Sequence, residues 1–274
     1  MNFVNVLRKP DVTLVCDEDS DFRFEESGNK SSTAQIDFIR NEKSVTVVVQ
    51  PHTIPVKFVR LRWNECVEGV DKILGDQWER SSEGIVSNHW AGIIPHRIMP
   101  WYFHSVYGDK NALYGVKTGA NAFCFWQMDR KGITLFIDLT CGDGGTLIKK
   151  PLELCTIVSL FYEGDSFDAS KMFCSLMCDN PVSLKSPIFG VNNWYWAYGE
   201  ISHESVMRET DYLMQMTEGA YSKPFMILDD GWQINRTFSG SIYNGGPWHT
   251  GNANFPSMQD TAQAILDKGA LPGI

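Results

Sequence analysis

The sequence has 274 residues, enough for two ordinary domains, and its 43% hydrophobic and 21% charged residues are normal for a folded globular chain. A formal net charge of −9 disfavours nucleic acid and anionic membrane as partners, because both need clustered cations, while a neutral sugar stays compatible. No stretch approaches the roughly 20 apolar residues of a membrane span, and the apolar run 12–16, following Arg8, Lys9 and Asp11, is too short for a signal peptide.

In chain order, residues 1–186 read mostly as strands. Residues 44–50 (SVTVVVQ) and 56–63 (VKFVRLRW) are rich in β-branched residues, the second with an imperfect two-residue alternation. Strands are then expected at 98–107, 113–118, 122–128, 133–139 and 152–162, bounded by Gly, Asn or Asp. Asp129-Arg130-Lys131-Gly132 reads as a hairpin turn. Many antiparallel strands at short spacing predict a β-sandwich. A helix over 167–178 closes this half, with Phe167, Lys171, Cys174 and Cys178 in one row.

From Pro187 the pattern changes. A short apolar strand at 188–192 precedes a helix with Ser202 as its N-cap and Glu204 in its first turn. Val206, Thr210, Leu213, Met214 and Thr217 form its apolar stripe and Gly219 ends it. A second strand at 224–228 follows, then a helix with Met258, Ala262, Ile265 and Leu266 on one face and Gly269 as its stop, then a third strand from Leu271. Strand–helix alternation predicts parallel pairing with right-handed crossovers. Such a unit begins either a doubly wound domain or an eight-unit barrel. The spacing of about 35 positions from Trp194 to Asp229 fits the barrel, whose units average about 30, and no Gly-rich phosphate fingerprint follows the first strand.

Three features fall at strand C-terminal ends, where a barrel places its active site. They are Asn192-Asn193-Trp194-Tyr195-Trp196, Asp229-Asp230-Gly231-Trp232, and the connection 233–256 with Tyr243, Gly245, Gly246 and Trp248. The connection far exceeds the usual 2–6 residues. A carboxylate accepts two adjacent hydroxyls at once, and an aromatic face covers the C–H side of a pyranose. Two other readings stay open on residue types alone: an ordinary strand-to-loop turn, and a carboxylate metal site, for which no third acidic ligand stands nearby. Asp229 and Asp230 are not read as a catalytic pair. Neighbours on a strand point to opposite faces, whereas a retaining glycosidase needs two carboxyls flanking one bond about 5–5.5 Å apart.

Gly190-Val191-Asn192-Asn193-Trp194 together with residues 224–233 (PFMILDDGWQ) resembles the start of the barrel in glycoside hydrolase family 36, the α-galactosidases and raffinose-synthase-like enzymes. Tyr243-Asn244-Gly245-Gly246-Pro247-Trp248, Asn254-Phe255-Pro256-Ser257-Met258 and Leu271-Pro272-Gly273-Ile274 extend the resemblance. Tyr114-Gly115-Val116-Lys117-Thr118-Gly119 and Asn121-Ala122-Phe123-Cys124-Phe125-Trp126 resemble its N-terminal sheets. The resemblance implies a β-supersandwich over 1–186 followed by the first units of an α/β TIM barrel, the (β/α)8 catalytic domain, over 187–274. It implies that Trp194, Asp229, Asp230, Trp232 and Trp248 line the sugar subsite. It places the Asp nucleophile and the Asp acid/base on later strands, beyond Ile274, so that this fragment alone is expected to be inactive. The expected partner is an oligosaccharide or glycoside, with self-association left open and no cofactor or metal. Galactosyl transfer and sugar binding without turnover are the alternatives to hydrolysis.

Smaller signals are read as structural. The segment 141–146 (CGDGGT) lacks the Lys and helix of a phosphate loop, and Cys174 with Cys178 reads as a buried helix face. Seven cysteines without paired spacing read as free thiols in a reducing cytoplasm, where the sequons Asn29-Lys30-Ser31 and Asn235-Arg236-Thr237 carry no meaning.

Overall fold

The structure is a computed structural model that describes residues 3–16, 34–75, 93, 97–140, 142, 144–234 and 248–274. Both sequons, Cys141, Asp143, Tyr243, Gly245 and Gly246 lie outside the described residues. The chain divides into two compact units, 1–181 and 182–274.

The first unit contains β1 (Val12–Cys16), β2 (Ile36–Arg40), β3 (Ser44–Val49), β4 (Phe58–Asn64), β5 (Lys72–Gly75), β6 (Met99–Pro100), β7 (Tyr102–Tyr107), β8 (Lys110–Val116), β9 (Phe123–Asp129), β10 (Gly132–Asp138), β11 (Leu152–Glu163) and α1 (Ser166–Met177). The strands form a five-stranded sheet, β1-β4-β10-β9-β6, and a six-stranded sheet, β2-β3-β11-β8-β7-β5, with antiparallel pairing between neighbours. One core joins the inner faces in a sandwich-like arrangement. Val59, Leu61, Trp63, Cys124, Trp126, Met128, Ile133 and Leu135 come from one sheet; Val45, Val47, Phe103, Tyr114, Val116 and Ile157 come from the other.

The imperfect alternation of β4 has a physical cause. Its outward face is also covered, so Arg62 is buried and has to be paired. Arg62 donates to Asp129 at 2.8 Å, Thr134 at 3.0 Å and Asn64 at 3.1 Å. Beside it Phe125 and Phe136, opposite each other on β9 and β10, stack with centroids 4.8 Å apart. The turn Asp129–Gly132 closes this hairpin as its residues suggested.

Three expectations are corrected here. The strand expected to start at Val56 starts at Phe58, and Val56 instead makes an isolated bridge to Thr146. The single strand expected over 98–107 is two strands, divided at Trp101, whose φ is +63°. Trp101 N–H donates to Cys124 O of one sheet, and its carbonyl accepts from Val116 N–H of the other, both at 3.0 Å. The chain thus changes sheet at that corner. The third correction concerns α1. Phe167 is 75% exposed, and Lys171 and Cys174 are exposed too. Ala169 and Phe173 form the buried stripe, packed on Leu113 and Val158 across the outer face of β8 and β11. An i, i+4 row containing Lys171 would have had to bury a charge; the neighbouring row does not.

A buried polar network pins α1 to this face. His104 Nδ1 lies 3.0 Å from Ser170 Oγ and its Nε2 lies 2.8 Å from Asn111 Oδ1. Ser166 Oγ also donates to that oxygen at 2.9 Å, and Asn111 Nδ2 donates to Gly164 O at 2.8 Å. With Asn111 Oδ1 accepting, His104 carries its proton on Nε2 and accepts from Ser170 at Nδ1. Burial lowers the His104 pKa, Asn111 opposes that, and Lys72 adds to it.

The second unit contains β12 (Gly190–Asn192), α2 (Trp194–Ala197), α3 (His203–Met216), β13 (Phe225–Ile227), α4 (Met258–Asp267) and β14 (Leu271–Gly273). Its sheet is parallel and runs in chain order, β12-β13-β14. Sequential order of this kind is shared by barrels and by half of a doubly wound sheet. Ser202 caps α3 through a reciprocal pair with Ser205 in place of the usual Glu or Gln. Hydrogen bonding to Ser202 and to backbone N–H lowers the Glu204 pKa. Val206, Thr210 and Leu213 face inward, and on α4 Thr261 and Ile265 do. Leu266, expected on that face, is 40% exposed. Val206, Leu213, Met226, Leu228, Trp232, Phe255 and Ile265 form the unit's core.

Candidate functional site

The C-terminal ends of β12 and β13 are joined by side-chain amides. Asn192, the last residue of β12, accepts from Trp194 N–H through Oδ1 and donates from Nδ2 to Asp229 Oδ2, both at 2.8 Å. Asn193 is 1% exposed and accepts from Asp229 N–H at 3.0 Å. Its Nδ2 is buried and takes no partner among the described residues.

Both Asp side chains lie beyond the strand, which ends at Ile227, so strand alternation does not govern their directions. Asp229 Oδ1 instead accepts from the N–H of the next residue, Asp230, at 2.8 Å. Asp230 Oδ1 accepts from Gln233 Nε2 at 2.6 Å, and Gln233 Oε1 accepts from Gly231 N–H at 2.9 Å. Both carboxylates are half-buried. Each oxygen carries at most one of these bonds, which leaves lone pairs on both groups for hydroxyl donors.

Gly231 sits where the turn presses on the segment after α2. Its φ is +117°, and a Cβ there would lie 2.3 Å from the Gly199 carbonyl oxygen. The long connection springs from a closed base. Gln233 and Gly251 form an antiparallel bridge, Asn252 N–H donates to Trp232 O at 2.8 Å, and Asn252 Nδ2 donates to Gly231 O at 2.7 Å.

The aromatic residues separate into two kinds. Trp194 is half-buried and meets Tyr198 edge-on, with centroids 5.6 Å apart. Tyr195, Trp196 and Tyr198 are exposed. Trp232 is buried in the core, whereas Trp248 is 58% exposed, with its ring centroid 6.2 Å from that of Trp232. The bonded chain therefore links Trp194, Asp229 and Asp230, while Trp248 meets the ring of Trp232. Glu209 on α3 is half-buried, and burial raises its pKa against a hydrogen bond from Trp196 and the charge of Arg208. Sequence reading gave no role to Asn193, Gln233, Asn252 or Glu209. The signal present was the amides flanking both acidic and aromatic positions. Among the described residues, no three His, Cys, Asp or Glu side chains gather as a metal site would require.

No protein-family model matches the sequence, and no curated protein matches it. Several solved structures are similar to the chain. One is the GH36 alpha-galactosidase AgaA from Geobacillus stearothermophilus in complex with 1-deoxygalactonojirimycin: 11% identity, TM-score 0.45, covering 84% of this chain and 35% of that one. The alpha-N-acetylgalactosaminidase NagBb from Bifidobacterium bifidum, in its Gal-NHAc-DNJ complex, gives 10% identity and a TM-score of 0.45, with coverages of 97% and 52%. The galactosidase domain of alpha-galactosidase-sucrose kinase AgaSK gives 11% and 0.44, with coverages of 97% and 43%. The chain thus spans between about a third and a half of the length of these structures.

Proposed function

We propose that this chain is the sugar-gripping part of a retaining glycosidase of α-galactosidase type, and that its second unit is the opening of a (β/α)8 barrel. The observation that carries the proposal is the bonded chain Trp194–Asn192–Asp229–Asp230–Gln233 at the C-terminal ends of adjacent parallel strands. The resemblance of its motif to glycoside hydrolase family 36 supports the same reading.

In this reading Asp229 and Asp230 accept hydrogen bonds from hydroxyls of the terminal sugar. Asn192 and Gln233 fix the carboxylates so that little ordering is left to occur on binding. Trp194 covers the C–H face of the ring, and Trp248 lies at the rim. Trp232 supports the turn from within the core. A hydrogen bond to a charged group contributes about 1.5–3 kcal/mol. A sugar whose hydroxyl points the other way leaves a carboxylate unpaired and is rejected. The resemblance assigns the nucleophile and the acid/base to two further Asp residues on later strands, outside this sequence.

The test uses the protein that contains this chain. It should release galactose from an aryl α-galactoside, and Asp229→Asn should reduce kcat/KM at least about tenfold, the equivalent of one charged hydrogen bond. Unchanged turnover in that variant would remove Asp229 from the site.

A further inference from the structure

We propose that Cys124 and Cys155 are a disulfide-forming pair that can staple the two sheets of the first unit together. The two residues lie on different sheets, Cys124 on β9 and Cys155 on β11. Each faces the shared core. Cys124 alternates with Trp126 and Met128 on the inner face of its sheet, and Cys155 shares the inner face of the other with Ile157.

A register shift between Glu153 and Cys155 produces this placement. On β3, Val48 and Val47 are adjacent, yet their partners Glu153 and Cys155 are two apart. Leu154 is the extra residue, so Leu154 and Cys155 both turn inward. The segment leading into β9 is tied to the same stretch. Asn121 N–H donates to Leu154 O at 2.9 Å, Asn121 Nδ2 to Glu153 O at 2.8 Å, and Lys117 N–H to Thr156 O at 2.8 Å. These bonds hold the start of β9 against the stretch that carries Cys155, and the two thiols are neighbours in the shared core. A bond here would join two sheets across a sandwich core, as the inter-sheet disulfide of antibody domains does.

The chemistry balances with a glutathione disulfide as oxidant. One cysteine thiolate attacks the glutathione S–S bond, which breaks and expels one glutathione thiolate. The second cysteine thiolate attacks the resulting mixed disulfide and expels the other. Two protein thiols lose two protons and two electrons, and one glutathione disulfide becomes two glutathiones. Contact with Cys124, then burial, holds the Cys155 thiol well above its ordinary range. Both thiols are buried out of reach of a soluble oxidant, so closure belongs to folding, before the core shuts.

The full chain is unfolded and refolded in mixed oxidised and reduced glutathione, or in reductant alone. The soluble monomeric fraction is digested without reduction and mapped by mass spectrometry. The expected result is one peptide pair linked through Cys124 and Cys155. The thermal midpoint of the oxidised form should exceed that of the reduced form by about 10 °C, from closing a loop of roughly 30 residues. Cys124→Ser and Cys155→Ser should each abolish both effects. If refolding gives no soluble protein, expression in a host with an oxidising cytoplasm supplies the sample for the same map. Recovery of both cysteines as free thiols from folded oxidised protein, or of either one linked to another cysteine, overturns the pairing.

Discussion

Replacing Gly231 by Ala tests whether the Asp229–Asp230 turn is held by its own backbone geometry. Two separate costs apply. The φ of +117° lies in a region that side chains rarely adopt, costing about 1–3 kcal/mol. The added Cβ would also stand 2.3 Å from Gly199 O and 2.7 Å from Gly199 Cα. Those neighbours are backbone atoms and cannot rotate away, so overpacking adds about 1–3 kcal/mol. Loss of glycine's freedom in the unfolded chain returns about 0.4–1 kcal/mol. The net is a destabilisation of about 1–5.5 kcal/mol, with a central value that lowers the unfolding midpoint by roughly 10 °C. Gly219→Ala is the control. Its φ of +76° is also positive, but nothing lies within 4 Å of the new Cβ, so only the conformational cost of about 1–2 kcal/mol remains. Urea titrations of both variants, read by tryptophan fluorescence, separate the two contributions. If Gly231→Ala is no more destabilising than Gly219→Ala, the close approach to Gly199 does not hold the turn.

Three further outcomes are expected. Gln233→Leu leaves Asp230 and the Gly231 N–H without their partner at a cost of about 1–3 kcal/mol; calorimetry should show galactose binding weakened about tenfold or more, and unchanged affinity would mean that Gln233 does not position Asp230. Burial lowers the folded-state pKa of His104 below its unfolded value, so the unfolded chain binds more protons as pH drops, and stability should be full above about pH 6.5 and decline below it; urea midpoints from pH 8 to 5 measure this, and His104→Gln should flatten the slope. Gly115→Val should loosen α1, since even a Cβ would stand 2.9 Å from Phe173 Cε1, Met177 Sδ and Tyr102 Cβ; faster amide exchange in α1 is the readout, and native protection would contradict the packing.

The sequence was most legible where residue chemistry repeats with the geometry. The β-branched runs of β3 and β11 announced strands, and Ser202 and Gly219 bounded α3. It was least legible where one residue overrides its neighbours. Nothing in the run 98–107 marks Trp101 as a corner, because its left-handed φ is imposed by bonds to two different sheets. The short strands β2 and β5 were missed for a different reason. Lys72, Asp37 and Arg40 break their apolar pattern, as edge strands tolerate. At the candidate site the acidic pair and Trp194 stood out by composition. The amides that hold them did not, because Asn193 and Gln233 act through long-range or turn contacts with no periodic signature. Trp232 and Trp248 are alike as letters, yet one is core and the other surface. That difference is set by packing against Phe255 and its neighbours.

The corner at Trp101 also bears on how the first unit comes apart. Sheet edges are where unzipping begins, and β6 is an edge of one sheet. Peeling β6 from β9 would pull on Trp101, whose carbonyl is bound to Val116 beside β7 of the other sheet. A single residue therefore works as a rivet between two ladders. Fraying at one edge is transmitted to the opposite sheet, and the two sheets should lose amide protection together as one cooperative unit.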